Sequence, residues 1–164
     1  MKKSLLAATA ILTLSTTAAF ASPINDLGAG QTAIGIGTDM YIEHQLSKDL
    51  TIGYQNVDRD YYHDMQDVYG QFRFTENLRG IVGHRNDLPY DSSNFYAGLG
   101  VYAPLTSNLS GYASYITGSD FDETQIGTNI ALTSNIGLNV NYHSFNPDHG
   151  RSENKFGFGA NVTF

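Results

Sequence analysis

The chain of 164 residues has no cysteine, no tryptophan and only four prolines, and 15% of its residues are charged. Without cysteine, neither a disulfide, a thiol nucleophile nor a cysteine metal site can form. Beyond the first 20 residues no apolar run approaches the roughly 18 residues that a transmembrane helix needs. Acidic residues outnumber basic ones by 16 to 9. This balance argues against nucleic acid as a partner, because proteins that bind it usually carry basic patches.

The start of the chain has the pattern of an export signal. Two lysines precede an uncharged stretch at residues 5–20, and residues 19–21 read Ala-Phe-Ala. The apolar core is short and runs directly into Ser22-Pro23, which favours a cleaved signal peptide over a membrane anchor. We therefore expect Sec export, removal of residues 1–21 by cleavage after Ala21, and one domain at 22–164.

The rest of the chain contains a fourfold repeat. In each copy an apolar residue is followed by three polar residues and another apolar residue. The copies begin at Leu46, Phe74, Leu105 and Leu132. Each polar triplet ends in Asp or Asn, the non-glycine residues that best tolerate the left-handed conformation. A three-residue hairpin loop requires that conformation at its third position. The repeat therefore predicts four tight turns, separated by longer polar connections.

Between the turns, apolar and polar residues alternate with period two, which predicts strands with two different faces. The non-apolar face carries glycine, asparagine, glutamine and threonine rather than charge, which suits a confined polar interior. Short turns that alternate with longer loops are typical of transmembrane barrels. The predicted fold class is all-β, a closed antiparallel transmembrane β-barrel.

The number of strands depends on residues 31–46. If this segment holds two short strands with a reversal near Gly37-Thr38-Asp39, the barrel has ten strands and both chain ends lie in the periplasm. If the segment stays out of the sheet, eight strands remain. We favour ten. The predicted spans are 31–37, 40–46, 50–57, 67–75, 78–86, 94–104, 109–117, 123–132, 136–145 and 154–164.

The last strand is the basis of a family resemblance. Phe156, Phe158, Val162 and Phe164 alternate toward an aromatic C-terminus, a pattern that resembles the assembly signal of bacterial outer-membrane proteins. With the export signal and the short turns, the mature chain resembles the small barrels typified by outer-membrane proteins A and X. The resemblance implies a monomer integral to the outer membrane of a Gram-negative cell envelope, surrounded by lipids and lipopolysaccharide. It also implies periplasmic chaperones and the barrel-assembly machinery as biogenesis partners, but no specific activity.

Charged residues follow the same alternation. Strand parity places Arg73 and Arg79 inside the barrel, side by side across a turn, and Glu43 inside on a nearby strand. On the lipid face an arginine would cost about 2–4 kcal/mol near the bilayer midplane. Two inward arginines also need a carboxylate, since an unpaired buried charge is strongly unfavourable. We predict a lumen ion cluster of Glu43, Arg73 and Arg79, which either braces the barrel or forms an anion-selecting constriction.

The longer connections, at about 58–66, 87–93, 118–123 and 146–153, hold most of the acids. The predicted acidic rim consists of Asp58, Asp60, Asp64, Asp120, Asp122 and Glu123. Such a rim attracts cations or basic partners; the simpler interpretation is a solvated loop surface. Residues 58–67 lack the glycine and the terminal glutamate of an EF-hand loop, so they predict no calcium site.

We find no arrangement in the sequence that predicts catalysis, a cofactor or a metal site. His143 and Ser144 are adjacent on a strand and should point to opposite faces. The predicted function is a small non-enzymatic barrel, either structural or a narrow porin-like diffusion channel. The alternatives are surface binding through the acidic loops and, less favoured, a lipid A-modifying enzyme. Inward glycines either leave a water path or make room for the inward side chains of Tyr69, Tyr96, Tyr102 and Tyr112.

The ion cluster gives a first testable prediction. Replacing Glu43 with glutamine should lower stability, because the arginines lose the carboxylate that compensates their charge. The measurement is the thermal and urea midpoint of the refolded protein. Unchanged midpoints would contradict the cluster.

Overall fold

The computed structural model describes residues 24–37, 40–88 and 92–164, and within them it forms one closed antiparallel barrel of ten strands. The strands are β1 (Thr32–Gly37), β2 (Met40–Gln45), β3 (Leu50–Val57), β4 (Met65–Arg73), β5 (Leu78–Leu88), β6 (Ser92–Pro104), β7 (Leu109–Gly118), β8 (Phe121–Ala131), β9 (Ile136–Pro147) and β10 (Glu153–Thr163). Each strand pairs with its chain neighbours, and β1 closes the barrel on β10. The predicted fold class and the favoured count of ten are confirmed. Thr38 and Asp39 of the predicted reversal, the export signal and its cleavage after Ala21 lie outside the described residues.

The barrel wall is apolar on the outside and polar on the inside. Exposed outward side chains include Ile42, Tyr54, Val82, Phe95, Leu99, Ile126 and Phe158. Buried inward side chains include Glu43, Gln55, Asp67, Gln71, Arg85, Gln125, Asn141 and His143. This distribution is the reverse of a water-soluble barrel and matches a wall whose outer face meets lipid. No helix in the described part of the chain is long and apolar enough to cross a membrane.

The four predicted turns are present at the repeat, but their backbone differs from the prediction. Among the described residues, Asp87 is the only non-glycine residue with a positive φ, so the predicted left-handed third position is wrong. The hydroxyl group at the first polar position organises the turn instead. Thr133 Oγ1 accepts hydrogen bonds from the backbone N–H groups of Asn135 (3.2 Å) and Ile136 (3.0 Å). The equivalent acceptors in the other turns are Ser47, Thr75 and Thr106.

The Asp or Asn at the third turn position links each hairpin to the next. The carbonyl oxygen of Asn135 accepts a hydrogen bond from Thr163 N (2.8 Å), and its side-chain amide donates to Thr163 O (2.8 Å). Asn77 makes the same pair of bonds to Tyr102. The backbone carbonyl at the third position extends the sheet into all four turns, and the side-chain amides of Asn77 and Asn135 add a second bond in two of them.

The connections at the opposite end are shorter than predicted. Residues 119 and 120 alone join β7 to β8, because these strands extend beyond their predicted ends. Among the described connections the longest is 58–64, between β3 and β4. We call the end with the four tight turns the turn end and the opposite end the loop end.

Inward tyrosines and glycines are paired across neighbouring strands. Gly53 lies directly opposite Tyr69, and a Cβ atom added to Gly53 would lie 2.3 Å from the Cζ atom of that ring. The described strands contain three more such pairs: Gly35 with Tyr41, Gly83 with Tyr96, and Gly127 with Tyr112. Each tyrosine ring therefore lies flat against a neighbouring strand, in space that the glycine leaves. At these positions the glycines make room for tyrosines and do not form a water path.

This size match predicts the effect of adding one methyl group. Gly53→Ala should destabilise the barrel by about 1–3 kcal/mol, because Tyr69 has to leave its rotamer. The outward Gly70→Ala is the matched control, because its Cβ would meet nothing closer than 3.8 Å. It should stay within about 0.5 kcal/mol of wild type. Urea unfolding of both variants in lipid vesicles compares them, and equal midpoints would contradict the role of the pair.

Candidate functional site in the barrel interior

The candidate site is the barrel interior, where polar side chains form a group at the turn end, a group in the middle and a group at the loop end. Alternation within each strand directs these side chains inward. The three groups determine whether the interior can conduct or bind anything.

At the turn end Glu43 is the central acceptor and is almost fully buried. Its Oε1 atom accepts hydrogen bonds from Tyr69 Oη (2.9 Å) and Gln71 Nε2 (3.0 Å). Its Oε2 atom accepts one from Asn25 Nδ2 (2.7 Å). Gln71 Oε1 in turn accepts a hydrogen bond from Arg79 Nη1 (3.2 Å). The amide of Gln71 therefore connects the carboxylate of Glu43 to the guanidinium of Arg79.

The carboxylate that pairs with the two predicted arginines belongs to Asp26. Arg73 Nη2 lies 2.9 Å and Arg79 Nη2 3.7 Å from Asp26 Oδ1. The structure thus places Glu43, Arg73 and Arg79 around one end of the lumen, where Gln71 lies between Glu43 and Arg79. The alternation of inward and outward positions along a strand could not predict the role of Asp26, because this residue precedes β1.

Residues 24–27, which we call the N-terminal segment, lie across the turn end. Ile24, Asn25 and Leu27 are buried, whereas Asp26 is half exposed. Ile24 O accepts a hydrogen bond from Asn129 Nδ2 (3.0 Å). Neither the alternation nor the turn spacing of the sequence indicated this segment. Its signal was the pattern of two apolar residues around Asn25-Asp26, directly ahead of the first strand.

In the middle of the barrel an uncharged network surrounds Tyr112. Asn139 Nδ2 donates to Tyr112 Oη (3.0 Å) and Gln125 Nε2 donates to the same oxygen (3.2 Å). Asn141 Nδ2 continues the network by donating to Asn139 Oδ1 (2.8 Å). These residues come from β7, β8 and β9 and tie one side of the wall together.

At the loop end two arginines share one glutamate. Arg85 forms a bidentate pair with Asp67 (2.6 and 2.7 Å) and a further bond to Glu123 (2.6 Å). Arg59 Nη2 donates to both carboxylate oxygens of Glu123 (3.1 and 3.0 Å). His143 Nε2 lies 3.4 Å from Arg59 Nη1. All five residues are buried, so these bonds are shielded from water.

Arg59 reaches this group from the connection between β3 and β4. Its guanidinium lies 4.3 Å from the centre of the Phe145 ring, and that of Arg85 lies 4.7 Å from the Phe121 ring. The arginines thus combine ion pairs with contacts to aromatic faces, which favour cations. From the sequence, Arg59 was expected only within the outer connection at about 58–66. A loop residue has no strand parity, so nothing local indicated that it turns inward.

The predicted acidic rim needs one correction. Glu123 is buried inside the barrel on β8, because β8 begins earlier than predicted and Glu123 falls on its inner face. The other rim residues are at the loop end, where Asp58, Asp60, Asp64, Asp120 and Asp122 are partly or fully exposed. Lys155 Nζ lies 2.7 Å from Asp60 Oδ1 and 3.8 Å from Asp58 Oδ2, so part of this charge is already compensated.

The residues of the predicted assembly signal lie on the outer surface. Phe156, Phe158, Val162 and Phe164 are all exposed. The ring centre of Phe156 lies 5.1 Å from that of Tyr142 on the neighbouring strand. These side chains are positioned to contact lipid.

Two cavities lie beside the interior side chains. A cavity of about 30 Å³ lies in the middle, and one of about 260 Å³ lies at the mouth of the turn end beside the N-terminal segment. The described residues contain no group of three His, Asp or Glu side chains that could hold a metal ion. His143 faces inward and is buried, and its neighbour Ser144 lies on the outer side of β9. Since they face apart, these two side chains cannot act together on one substrate.

Two solved barrel structures are similar to this chain. One is a de novo designed transmembrane β-barrel, with 13% sequence identity, a TM-score of 0.43 and coverage of 85% of this chain and 100% of the design. The other is the N-terminal β-barrel domain of OprF from Pseudomonas aeruginosa, with 12% identity, a TM-score of 0.40 and coverage of 84% and 100%. No protein family matches the chain, and no curated protein matches it. At these identities and scores, neither structure assigns an activity.

The loop-end group predicts that removing the charge of Glu123 strongly lowers the stability of the barrel. Glu123→Gln keeps the side-chain shape but removes the carboxylate that Arg59 and Arg85 share, so it should cost about 3–5 kcal/mol. The control is Asp60→Asn, which removes an exposed partner of Lys155 and should cost no more than about 1 kcal/mol. Urea unfolding in vesicles measures both. Similar losses for the two variants would contradict a central role for Glu123.

Proposed function

We propose that this protein is a structural, non-conducting β-barrel of the bacterial outer membrane without enzymatic activity. The observation that carries this proposal is the filled interior. The central cavity of about 30 Å³ has room for no more than about two water molecules. A diffusion channel needs a continuous water path, which the side chains that line this cavity interrupt.

The electrostatics of the interior support the same conclusion. At the loop end the charges of Arg59 and Arg85 are compensated by Asp67 and Glu123. At the turn end two arginines likewise accompany two carboxylates, Asp26 and Glu43. An ion-selective constriction built from charged side chains carries an excess of one sign, whereas each of these groups has a formal charge of zero.

An outer-membrane location is the setting that best fits the surface. The apolar outer face is unfavourable in water, and a closed ladder satisfies the backbone hydrogen bonds that lipid cannot. In this proposal residues 1–21 direct export and the aromatic residues of β10 are read by the barrel-assembly machinery. The exposed acids at the loop end then face the lipopolysaccharide headgroups.

Planar-bilayer recording tests the closed interior. Refolded protein of residues 22–164, with folding verified by a heat-dependent gel shift, should give no current steps. An open porin, inserted at the same protein-to-lipid ratio, is the control for incorporation. Discrete and reproducible steps from the folded protein would reject the proposal in favour of a narrow channel.

A further inference from the structure

The N-terminal segment, residues 24–27, is not part of the barrel wall. In the described chain the first backbone hydrogen bond to a strand comes later, from Gly30 N to Gln45 O (2.8 Å). Side chains and carbonyl groups hold the segment instead. It occupies the turn end as a bound peptide would, while remaining tethered to β1.

Each residue of the segment meets a complementary group of the wall. Ile24 fills a notch at Gly100, where an added Cβ would lie 2.4 Å from Ile24 Cδ1. Leu27 belongs to a small apolar cluster with Ala33 and Tyr41. An apolar side chain therefore packs against the wall at each end of the segment, Ile24 at one end and Leu27 at the other.

The polar residues between these anchors are recognised individually. Asn25 donates to Glu43 Oε2 (2.7 Å), and its backbone carbonyl accepts from Arg79 Nη1 (2.8 Å). Asn161 Nδ2 donates to Asn25 Oδ1 (3.2 Å). The Asp26 carboxylate pairs with Arg73 (2.9 Å). Recognition thus covers both side chains and the backbone.

Part of the surface that holds the segment is also held by contacts within the wall. Glu43 remains bonded to Tyr69 and Gln71, and Arg79 to Gln71, through contacts within the wall. Gly28 and Gly30 follow the segment, and Gly30 has a φ of 83° that glycine adopts freely. The 260 Å³ cavity beside the segment is lined by Asn25, Asp26 and Leu27, so the segment has space into which it can move.

We propose that the turn end is a peptide-binding cradle, occupied in cis by the N-terminal segment. The cradle takes an extended peptide with an apolar residue, Asn, Asp and a second apolar residue in sequence. A short tether gives the chain's own segment an effective concentration in the millimolar range. A free peptide therefore binds only to a barrel whose own segment has left.

The first experiment asks whether the segment detaches. Because the chain has no cysteine, Leu27→Cys introduces a unique thiol that a maleimide reaches only when the segment leaves. Adding Ile24→Asp places a charge in the apolar notch and should accelerate labelling at least about ten-fold, through local opening. Ile116→Cys, buried in the wall on β7, is the control and should label equally slowly with and without Ile24→Asp. If Leu27→Cys stays as slow as Ile116→Cys, the proposal is overturned.

The second experiment asks whether the emptied cradle binds. A fluorescent peptide of the sequence Ile-Asn-Asp-Leu-Gly-Ala, which copies residues 24–29, is titrated into the Ile24→Asp protein and followed by anisotropy. Saturable binding is expected there but not with wild type, nor with Ile24→Asp/Gly100→Val, whose valine fills the notch. A peptide with leucine in place of the asparagine should bind more weakly. Absence of saturable binding to a folded Ile24→Asp protein that labels rapidly at position 27 overturns the proposal.

A second variant is used if Ile24→Asp does not fold. If Ile24→Asp lacks the heat-dependent gel shift, Ile24→Gly empties the notch without adding charge, and the same two outcomes apply. Peptide binding is independent of the closed-barrel proposal, because Arg59 and its partners close the loop end in every variant. Current steps in the bilayer would therefore reject the closed barrel alone, and absence of peptide binding would reject the cradle alone.

Discussion

Neutralisation of charge in a confined interior is the constraint on which this structure depends. The outer wall meets lipid and carries apolar side chains, so arginines and carboxylates in the strands can only point inward. Inside, each charge needs a partner, because an uncompensated buried charge is strongly unfavourable. Glu123 meets this requirement for Arg85 of the wall and also for Arg59 of a loop. The ion pairs thereby hold Arg59, a loop residue, inside the lumen at the loop end.

The shape of the interior follows from a second requirement, that the side chains of ten strands fill the space they enclose. A ten-stranded barrel has a wider interior than an eight-stranded one, and large side chains laid flat against small ones occupy it. Tyr69 over Gly53 is one example and Ile24 over Gly100 is another, although the first pair lies within the wall and the second involves a separate segment. Filling by tyrosines and by the N-terminal segment therefore follows the same principle of large residues opposite glycine. This common principle explains why a segment outside the ladder can still fit like part of the core.

Much of the wall could be predicted because its signals are local. The parity that put Glu43, Arg73 and Arg79 inside is a property of each strand alone, and the Ser/Thr-to-Asn/Asp triplets mark the turns within a few residues. Contacts between distant parts of the chain could not be predicted in this way. Arg59 was predicted as a loop residue, Glu123 was placed on the rim, and Asp26 was overlooked as the partner of the arginines. The contacts of these residues span from 38 to 64 positions of sequence, beyond the reach of periodicity or spacing.

The sequence by itself determined the closed all-β architecture, the positions of the four tight turns and the two faces of the wall, because alternation and turn chemistry operate between neighbours. It left open whether the inward glycines line a water path or receive large side chains. Only the tertiary structure decided that question, since closing the sheet brings Gly53 beside Tyr69 and Gly100 beside Ile24. Closure likewise brought Arg59, Arg85 and Glu123 to a single point. Whether a barrel is open or filled depends on the sum of side-chain volumes across the whole ring, and no single strand contains that information.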